Sequence, residues 1–205
     1  MALLVHFLRH ATHDHGTDAL AGRNPQVRLS PEGLAEAAAL AAMLAGRPLS
    51  AIVASPQPRT VETAEIVARG RPITIDAALD EIDFGRWQGE TFAALEHDPQ
   101  WRAWNAERDA AATPAGETMD AVAARVLALV DALREAHPRG GEVALVSHLD
   151  TIRAALCRAL GLPQRAALAL EIAPASLATL AFGEGGARLL LLNRRPALDL
   201  PEVSA

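Results

Sequence analysis

The sequence is poor in cysteine and in aromatic residues, and each shortage excludes a class of structure. Its one cysteine, Cys157, can form neither an internal disulfide nor a cysteine-rich zinc site. Four phenylalanines, three tryptophans and no tyrosine leave the core to be built mainly from alanine, leucine and valine. Glycine and proline number 14 and 13 among 205 residues, an ordinary usage that excludes collagen-like and low-complexity chains.

The chain also lacks an excess of basic residues and a long apolar run. Its 19 basic residues, all of them arginines, against 25 acidic residues give a net charge of −6, so we expect no nucleic-acid partner. No segment reaches the roughly 18 uncharged apolar residues of a membrane helix, and the N-terminus has no basic signal-peptide region. We therefore expect a soluble, cytoplasmic protein without a membrane partner.

Short apolar runs alternate with longer helical patterns, which is typical of a parallel sheet between helices. Strands are predicted over residues 3–8, 51–54, 73–75, 143–146, 176–182 and 187–193. Helices are predicted over about 30–46, 59–68, 118–136 and 151–160, with short ones near 92–96 and 101–107. The pattern predicts an α/β fold with three layers, α/β/α, and a mostly parallel central sheet.

The chain reads as one domain over residues 1–193, followed by a C-terminal tail over 194–205. Residues 76–117 are irregular and contain all three tryptophans. We predict that this segment is an insertion over the active site and that its tryptophans form a small core of their own. We leave open whether the protein forms a homodimer, since amphipathic patterns do not separate core from interface.

Polar residues follow three of the predicted strands, at the point where each strand ends. The first strand runs into Arg9 and His10, the second leads to Arg59, and the fourth leads to His148. In an open parallel sheet, ligands bind beyond the carboxyl ends of the strands, so we expect these side chains to share one pocket. Arginine presents a rigid donor fork to phosphate and histidine adds a donor. The set suits an anion with several oxygen atoms.

At these positions the sequence resembles the histidine phosphatase superfamily, which has a phosphoglycerate mutase-like fold. The matching segments are LRHAT at 8–12, LSPEG at 29–33, ASPQPRTVETA at 54–64, LDEIDFGRWQG at 79–89, GET at 116–118, and VSH at 146–148 with TIR at 151–153. Each segment alone is a weak signal, but together they follow the family's order through most of the chain.

The resemblance implies a role for each residue of the predicted pocket. His10 would be the nucleophile that forms a phosphohistidine, and Glu81 would be the general acid and later the base. Arg9, Arg59 and His148 would bind the oxygens of the transferring phosphoryl group. The two guanidinium charges would lower the pKa of His10 and neutralise the phosphoryl oxygens, so neither a metal nor a cofactor is required.

The acidic segment alone does not identify the general acid. Asp80, Glu81 and Asp83 lie close together, and mutual repulsion with partial burial could hold one of them protonated. Only the family pattern selects Glu81. The resemblance also suggests substrate binding by Arg23, in a loop that often reaches the substrate, although a surface arginine is an equal alternative.

The sequence departs from the family pattern beside both histidines. Ala11 and Thr12 replace a glycine and an acidic residue, and a methyl group there is a small change. Leu149 and Asp150 replace two glycines, which is the larger departure. We expect Leu149 to narrow the pocket and Asp150 to pair with an arginine or to cap the next helix. These changes bear on the choice of substrate more than on phosphoryl chemistry.

The function that we predict is that of a phosphomonoester hydrolase that acts on a small phosphorylated metabolite. A phosphatase is favoured over a mutase because segment 82–85 lacks the tyrosine that mutases tend to carry there. The alternatives are a phosphoglycerate mutase-type phosphotransferase and a non-catalytic phosphate-binding protein. A metal-dependent hydrolase is a weaker alternative, whose ligands would be His10, His13, His15, His148 and Asp150.

Overall fold

A six-stranded sheet organises the chain in the computed structural model, which describes residues 1–15 and 18–196. The strands are β1 (Leu3–Arg9), β2 (Leu49–Ala54), β3 (Thr74–Ile75), β4 (Gly141–Ser147), β5 (Leu177–Gly183) and β6 (Gly186–Arg194). The α-helices are α1 (Pro31–Met43), α2 (Pro58–Ala68), α3 (Phe92–Leu95), α4 (Pro99–Ala106), α5 (Met119–Ala136) and α6 (Leu149–Ala159).

The strand order is β3-β2-β4-β1-β5-β6. The first four strands in that order run parallel, whereas β5 is antiparallel to β1 and β6 is antiparallel to β5. Helices cover both faces of the sheet, so the predicted α/β/α architecture with a mostly parallel sheet is confirmed.

The alternation of side chains along β4 explains how one sheet supports two helical layers. Val143 and Leu145 pack into a cluster with residues of α5 and α6. Ala144 and Val146 point the other way, into a cluster with residues of α1 and α2. Because successive residues of a strand face opposite sides, a continuous apolar run is what a strand buried on both faces requires.

A side chain caps the start of α1, and the start of α6 differs from the prediction in a way that matters for the site. The Ser30 hydroxyl accepts a hydrogen bond from the Gly33 amide at 3.0 Å, so Ser30 is the N-cap of α1. Helix α6 begins at Leu149 instead of Thr151, since His148 occupies the extended N-cap position. Asp150 consequently lies in the first turn of α6, where a carboxylate interacts favourably with the helix dipole.

The segment 76–117 contributes its tryptophans to a small core, but this core is shared with residues of α5 and α6 and is not the separate core that we predicted. Trp87 and Trp104 are buried there with Ile82 and Phe84, and the Phe84 and Trp104 rings meet edge to face at 5.8 Å. Because α5 and α6 contribute to this core, it attaches the segment to the sheet.

The C-terminal boundary differs slightly from the prediction. Strand β6 includes Arg194, and the Arg195 guanidinium contacts the buried carboxylate of Glu36 at 3.4 Å. Residues 197–205 of the predicted tail lie outside the described residues. Within 1–15 and 18–196, none of the helices combines the length and the apolarity that crossing a membrane would need.

Gly33 provides a test of how closely the first loop packs on α1. A Cβ atom at this position would lie 1.8 Å from the backbone carbonyl oxygen of Thr12, beside the site. Helix propensity alone predicts that Gly33→Ala stabilises the protein by about 1 kcal/mol. We expect the opposite sign, a loss of about 1–3 kcal/mol, because backbone must move to admit the methyl group.

Urea unfolding gives the free energies of unfolding of Gly33→Ala, Gly183→Ala and the parent, and their comparison tests this prediction. Gly183 is the matched control, because a Cβ atom there would meet only the side chain of Ala2 at 3.7 Å. A Gly33→Ala protein as stable as the parent would contradict the close approach.

Candidate active site

The candidate site lies at the carboxyl ends of three neighbouring strands. In the sheet, β4 lies between β2 and β1. The ladder continues past the strand ends, where the His10 amide donates to the Ser147 carbonyl and the Ser55 amide donates to the Val146 carbonyl, each at 3.0 Å. Residues that follow these strands therefore emerge side by side, which brings His10, Arg59 and His148 together as predicted.

His10 is held neutral with one ring nitrogen available. It is 4% exposed, and its Nδ1 lies 2.8 Å from the carbonyl oxygen of Ala11, which places the proton on Nδ1. Its Nε2 accepts a hydrogen bond from Arg59 Nε at 3.3 Å. Burial, followed by the charges of Arg59 and Arg9, holds the pKa of His10 well below its usual value. The lone pair of Nε2 is thus free of a proton at neutral pH.

Arg9 and Arg59 are each fixed by a backbone carbonyl and still carry an unused donor. Arg9 Nη1 donates to Ile172 at 2.6 Å, and Arg59 Nη2 donates to Gly22 at 2.7 Å. Within the described part of the chain, the buried atoms Arg9 Nε and Arg59 Nη1 have no hydrogen-bond partner. Unpaired buried donors on charged groups are costly and rare. Beside a neutral imidazole, donors of this kind suit an anion with several oxygens.

His148 is hydrogen-bonded to Arg59. Its Nδ1 accepts from Arg59 Nη2 at 3.0 Å, and its Nε2 donates to Ser55 Oγ at 2.7 Å. Ser55 Oγ in turn donates to Asp80 Oδ1 at 3.3 Å, so this chain of bonds fixes the tautomer and the ring orientation. Burial, with Arg59 as the next cause, holds the pKa of His148 well below its usual value. The His10 and His148 ring centroids are 5.2 Å apart.

Glu81 is buried beside the first turn of α6. Its Oε1 accepts from the Ile82 amide at 3.0 Å and from Thr151 Oγ1 at 3.0 Å, and the Thr151 amide lies 3.3 Å away. Burial, together with the nearby charge of Asp150, raises its pKa to about 7. Glu81 can therefore either donate or accept a proton near neutral pH.

The structure shows that Asp80, Asp83 and Glu81, which the sequence alone could not tell apart, have different surroundings. Asp80 accepts from Gln57 Nε2 at 2.9 Å and from the Glu81 amide at 2.9 Å, which keeps its carboxylate within the protein framework. Asp83 accepts from the Gly85 amide at 2.8 Å and supports a turn. Glu81 lines the cavity, and Asp80 and Asp83 are not among its lining residues in the part of the chain that is described.

A cavity of about 650 Å³ opens onto these groups, a size suited to a small organic ligand. Arg9, His10, Arg59 and Glu81 line it, together with Leu149 from the start of α6. Leu149 therefore narrows the cavity at the place where the sequence departs from the family pattern.

Arg23 has a different placement from the predicted substrate contact. Its Nη2 donates to Glu117 Oε2 at 2.6 Å and its Nε donates to the backbone oxygen of Glu81 at 2.7 Å. Asp80 and Asp83 also lie within 3.7 Å of its guanidinium. The neighbouring Gly22, and not Arg23, belongs to the cavity lining over the described ranges. Arg23 thus supports the backbone of the Glu81 segment, and substrate binding by it stays a prediction.

Asp150 pairs with an arginine, as predicted, and the partner is Arg108. The Asp150 Oδ1 atom accepts from Arg108 Nη1 at 2.6 Å, and Arg108 also stacks over the Trp104 ring at 3.8 Å. Sequence reasoning missed Arg108, Ser55 and Thr151 as parts of the site. Ser55 and Thr151 lie within the matching motifs and could have been found there, whereas nothing in the local sequence indicated Arg108.

The groups proposed as alternative metal ligands do not form a ligand set. His13 lines the cavity, with its ring centroid 5.4 Å from that of His10, and His15 lies 6.3 Å farther along. Among residues 1–15 and 18–196, no three histidine, cysteine or acidic side chains are arranged so that they could hold a metal ion.

Comparisons with known proteins agree with this geometry. The model of the histidine phosphatase superfamily (branch 1) matches residues 5–195. The uncharacterized protein Rv0525 of Mycobacterium tuberculosis is 36% identical over 149 residues, which cover 70% of this chain and 72% of that protein. The probable phosphoglycerate mutase GpmB of Yersinia pestis is 29% identical over 160 residues, 76% of this chain and 74% of that protein.

A solved structure extends the likeness to nearly the whole chain. It is the mycobacterial glucosyl-3-phosphoglycerate phosphatase Rv2419c, which superposes with a TM-score of 0.86 at 29% identity. The superposition covers 94% of this chain and 99% of that one.

The pKa values of His10 and His148 are lowered and that of Glu81 is raised. These shifts predict how the stability of the protein depends on pH. His10 and His148 stay neutral when folded but take up protons near pH 6.5 when unfolded, so they reduce stability as pH falls below about 6.5. Glu81 has a folded pKa of about 7 against 4.5 unfolded. Its contribution to stability is full below about pH 4.5 and is lost as pH rises through about 7, so it opposes the histidines.

Glu81→Gln removes the opposing contribution. We expect the free energy of unfolding of this variant to fall more steeply between about pH 6.5 and 5, by up to about 1.4 kcal/mol per pH unit. Urea unfolding over that range measures the slope, and Glu135→Gln, an exposed change on α5, is the control. Parallel curves for Glu81→Gln and the parent would show that Glu81 is not protonated in the folded protein.

Proposed function

The chain belongs to the histidine phosphatase superfamily, and from that membership we propose that it hydrolyses phosphomonoesters through a phosphohistidine on His10. The observation that carries this proposal is the pair of unpaired buried donors, Arg9 Nε and Arg59 Nη1, beside the unprotonated Nε2 of His10. Those three atoms provide a nucleophile and the donors for the phosphoryl oxygens in one place. The phosphatase activity named for the solved relative supports the same reading.

In the first step, His10 Nε2 attacks phosphorus and a nitrogen–phosphorus bond forms while the ester oxygen–phosphorus bond breaks. The proton on Nδ1 stays hydrogen-bonded to the Ala11 carbonyl, which stabilises the positive charge of the phosphorylated ring. The leaving oxygen takes a proton from the Glu81 carboxyl group and departs as an alcohol.

In the second step, water takes the place of the alcohol. The Glu81 carboxylate accepts a proton from that water, and the oxygen attacks phosphorus as the nitrogen–phosphorus bond breaks. The electron pair returns to His10 Nε2 and inorganic phosphate is released, so both His10 and Glu81 regain their starting protonation states. A folded pKa of about 7 suits a group that must donate in one step and accept in the next.

Arg9 and Arg59 stabilise the transition state of both steps. Negative charge spreads over the three equatorial oxygens of the phosphoryl group, and fixed guanidinium groups meet it without reorganising. His148 has both ring nitrogens engaged, so it does not donate to the phosphoryl group as the family pattern implied; it orients Arg59 by accepting from its Nη2. The two arginines supply the stabilisation that a metal ion would otherwise give, so the proposal includes metal independence and a small phosphorylated metabolite as substrate.

His10→Ala tests the nucleophile. We expect it to abolish phosphate release from 4-nitrophenyl phosphate and from a panel of metabolite esters, whereas incubation with a chelator leaves the parent's activity unchanged. A rapid acid-free quench of the parent with radiolabelled substrate should trap an acid-labile, base-stable phosphoprotein that His10→Ala lacks.

Each rival activity gives a different result in the same assay. Binding without turnover would indicate a non-catalytic phosphate-binding protein. Transfer of label to a glycerate phosphate in preference to water would indicate a mutase. Phosphate release that survives His10→Ala would contradict the proposed nucleophile.

Glu81→Gln tests the general acid. We expect hydrolysis of an alkyl phosphate to slow by about 10²–10⁴-fold, because its poor leaving group needs the proton. Release of 4-nitrophenolate in the first turnover should slow far less, since nitrophenolate leaves without protonation, whereas the later dephosphorylation of His10 needs the Glu81 base for either ester. For the parent, the alkyl phosphate rate should fall as pH rises above about 7, where Glu81 loses its proton. Equal losses in the first-turnover release of the two leaving groups would remove Glu81 from the role of general acid.

A further inference from the structure

Beyond the phosphoryl-binding groups, the cavity wall is largely apolar. Its apolar side chains come from four separate parts of the chain and include Leu20, Phe84, Phe92, Leu149 and Pro174. Phe84 is 2% exposed in the tryptophan core, so this wall is fixed in place. With a cavity of about 650 Å³, the apolar region has room for the organic part of a substrate.

The charges on the remaining wall are acidic. Asp14 and Glu32 line the cavity in addition to Glu81, and Asp150 lines it as well but is paired with Arg108. Over the described ranges, the arginines that line it are Arg9 and Arg59 alone, and both belong to the phosphoryl site. The nearby His13 is neutral at pH 7, because burial and the two arginine charges lower its pKa to about 4.

Other arginines close to the cavity are already paired with carboxylates. Arg23 donates to Glu117 at 2.6 Å, and Arg108 donates to Asp150 at 2.6 Å. Arg28 forms an ion pair with Glu62. Recruiting any of them to a second anion on a substrate would cost an existing ion pair.

We propose that the substrate is a phosphomonoester whose organic part is uncharged and largely apolar, and that the site discriminates against esters with a second anionic group. This inference rests on the proposed function. A carboxylate or second phosphate in the outer cavity would lie among acidic side chains and beside apolar surface, and it would lose hydration without gaining a cation. Leu149 and Phe92 would instead contact an aryl or alkyl group.

Two phosphonates that differ in one group provide the test. Benzylphosphonate and 4-carboxybenzylphosphonate share a carbon–phosphorus bond that the enzyme cannot hydrolyse, so their binding is measured independently of turnover. We expect isothermal titration at pH 7 to give a dissociation constant at least about tenfold lower for benzylphosphonate. Equal or tighter binding of the carboxylated probe, or failure of both probes to bind, would overturn the inference.

Two variants locate the preference on the cavity wall. Phe92→Ala, a change at a partly exposed side chain, should weaken benzylphosphonate binding and leave methylphosphonate binding unchanged. Glu32→Lys, at an exposed position in the first turn of α1, should strengthen binding of the carboxylated probe up to about fivefold, the size of an exposed ion pair. Glu135→Lys makes the same charge change on α5, away from the cavity lining, and should have no effect.

The two proposals fail separately. Loss of the phosphonate preference with intact His10-dependent hydrolysis would overturn the inference about substrate class alone. A clear preference for benzylphosphonate in a protein that releases no phosphate from any ester would support the binding inference and contradict the proposed reaction.

Discussion

Two arginines that are anchored but not fully paired control the properties of this site. Arg9 and Arg59 each use a backbone carbonyl to hold the guanidinium in place and keep a buried N–H that has no partner among residues 1–15 and 18–196. A buried donor on a charged group is costly without a partner and favourable when it donates to an oxyanion. Burial, followed by the charges of these two arginines, keeps His10 neutral, so the proposed nucleophile and the groups proposed to bind the phosphoryl oxygens are prepared together.

The other groups of the site orient Arg59 and provide a carboxyl group that can donate or accept a proton. His148 is fixed by Ser55 and Asp80 through a chain of hydrogen bonds, so the lone pair of its Nδ1 faces Arg59. Glu81 lies in surroundings that disfavour its charge, although Arg59 favours it, and the result is a carboxyl group balanced between donor and acceptor. Opposite shifts in an acid and a nucleophile that share one cavity are typical of acid–base chemistry and uncommon in a merely structural cluster.

Much of the fold could be predicted because its signals are local. The apolar runs, the Ser30 cap and the periodic α5 follow from neighbouring residues, and three strand ends predicted where the pocket would form. The choice among Asp80, Glu81 and Asp83 could not be made this way, because their surroundings come from α6 and from Gln57. The role of Arg108 could not be predicted for the same reason, since its partner Asp150 is 42 residues away in the sequence.

The sequence by itself determined the alternation of strands and helices, the residues at the strand ends, and the family whose motifs they match. These properties depend on short-range pattern and on the chemistry of single side chains. Only the tertiary structure decided which carboxyl group is buried enough to hold a proton, which arginines keep free donors, and which charges face the outer cavity. Desolvation and Coulomb interactions depend on distance in space, and a sequence specifies such distances only once the chain has folded.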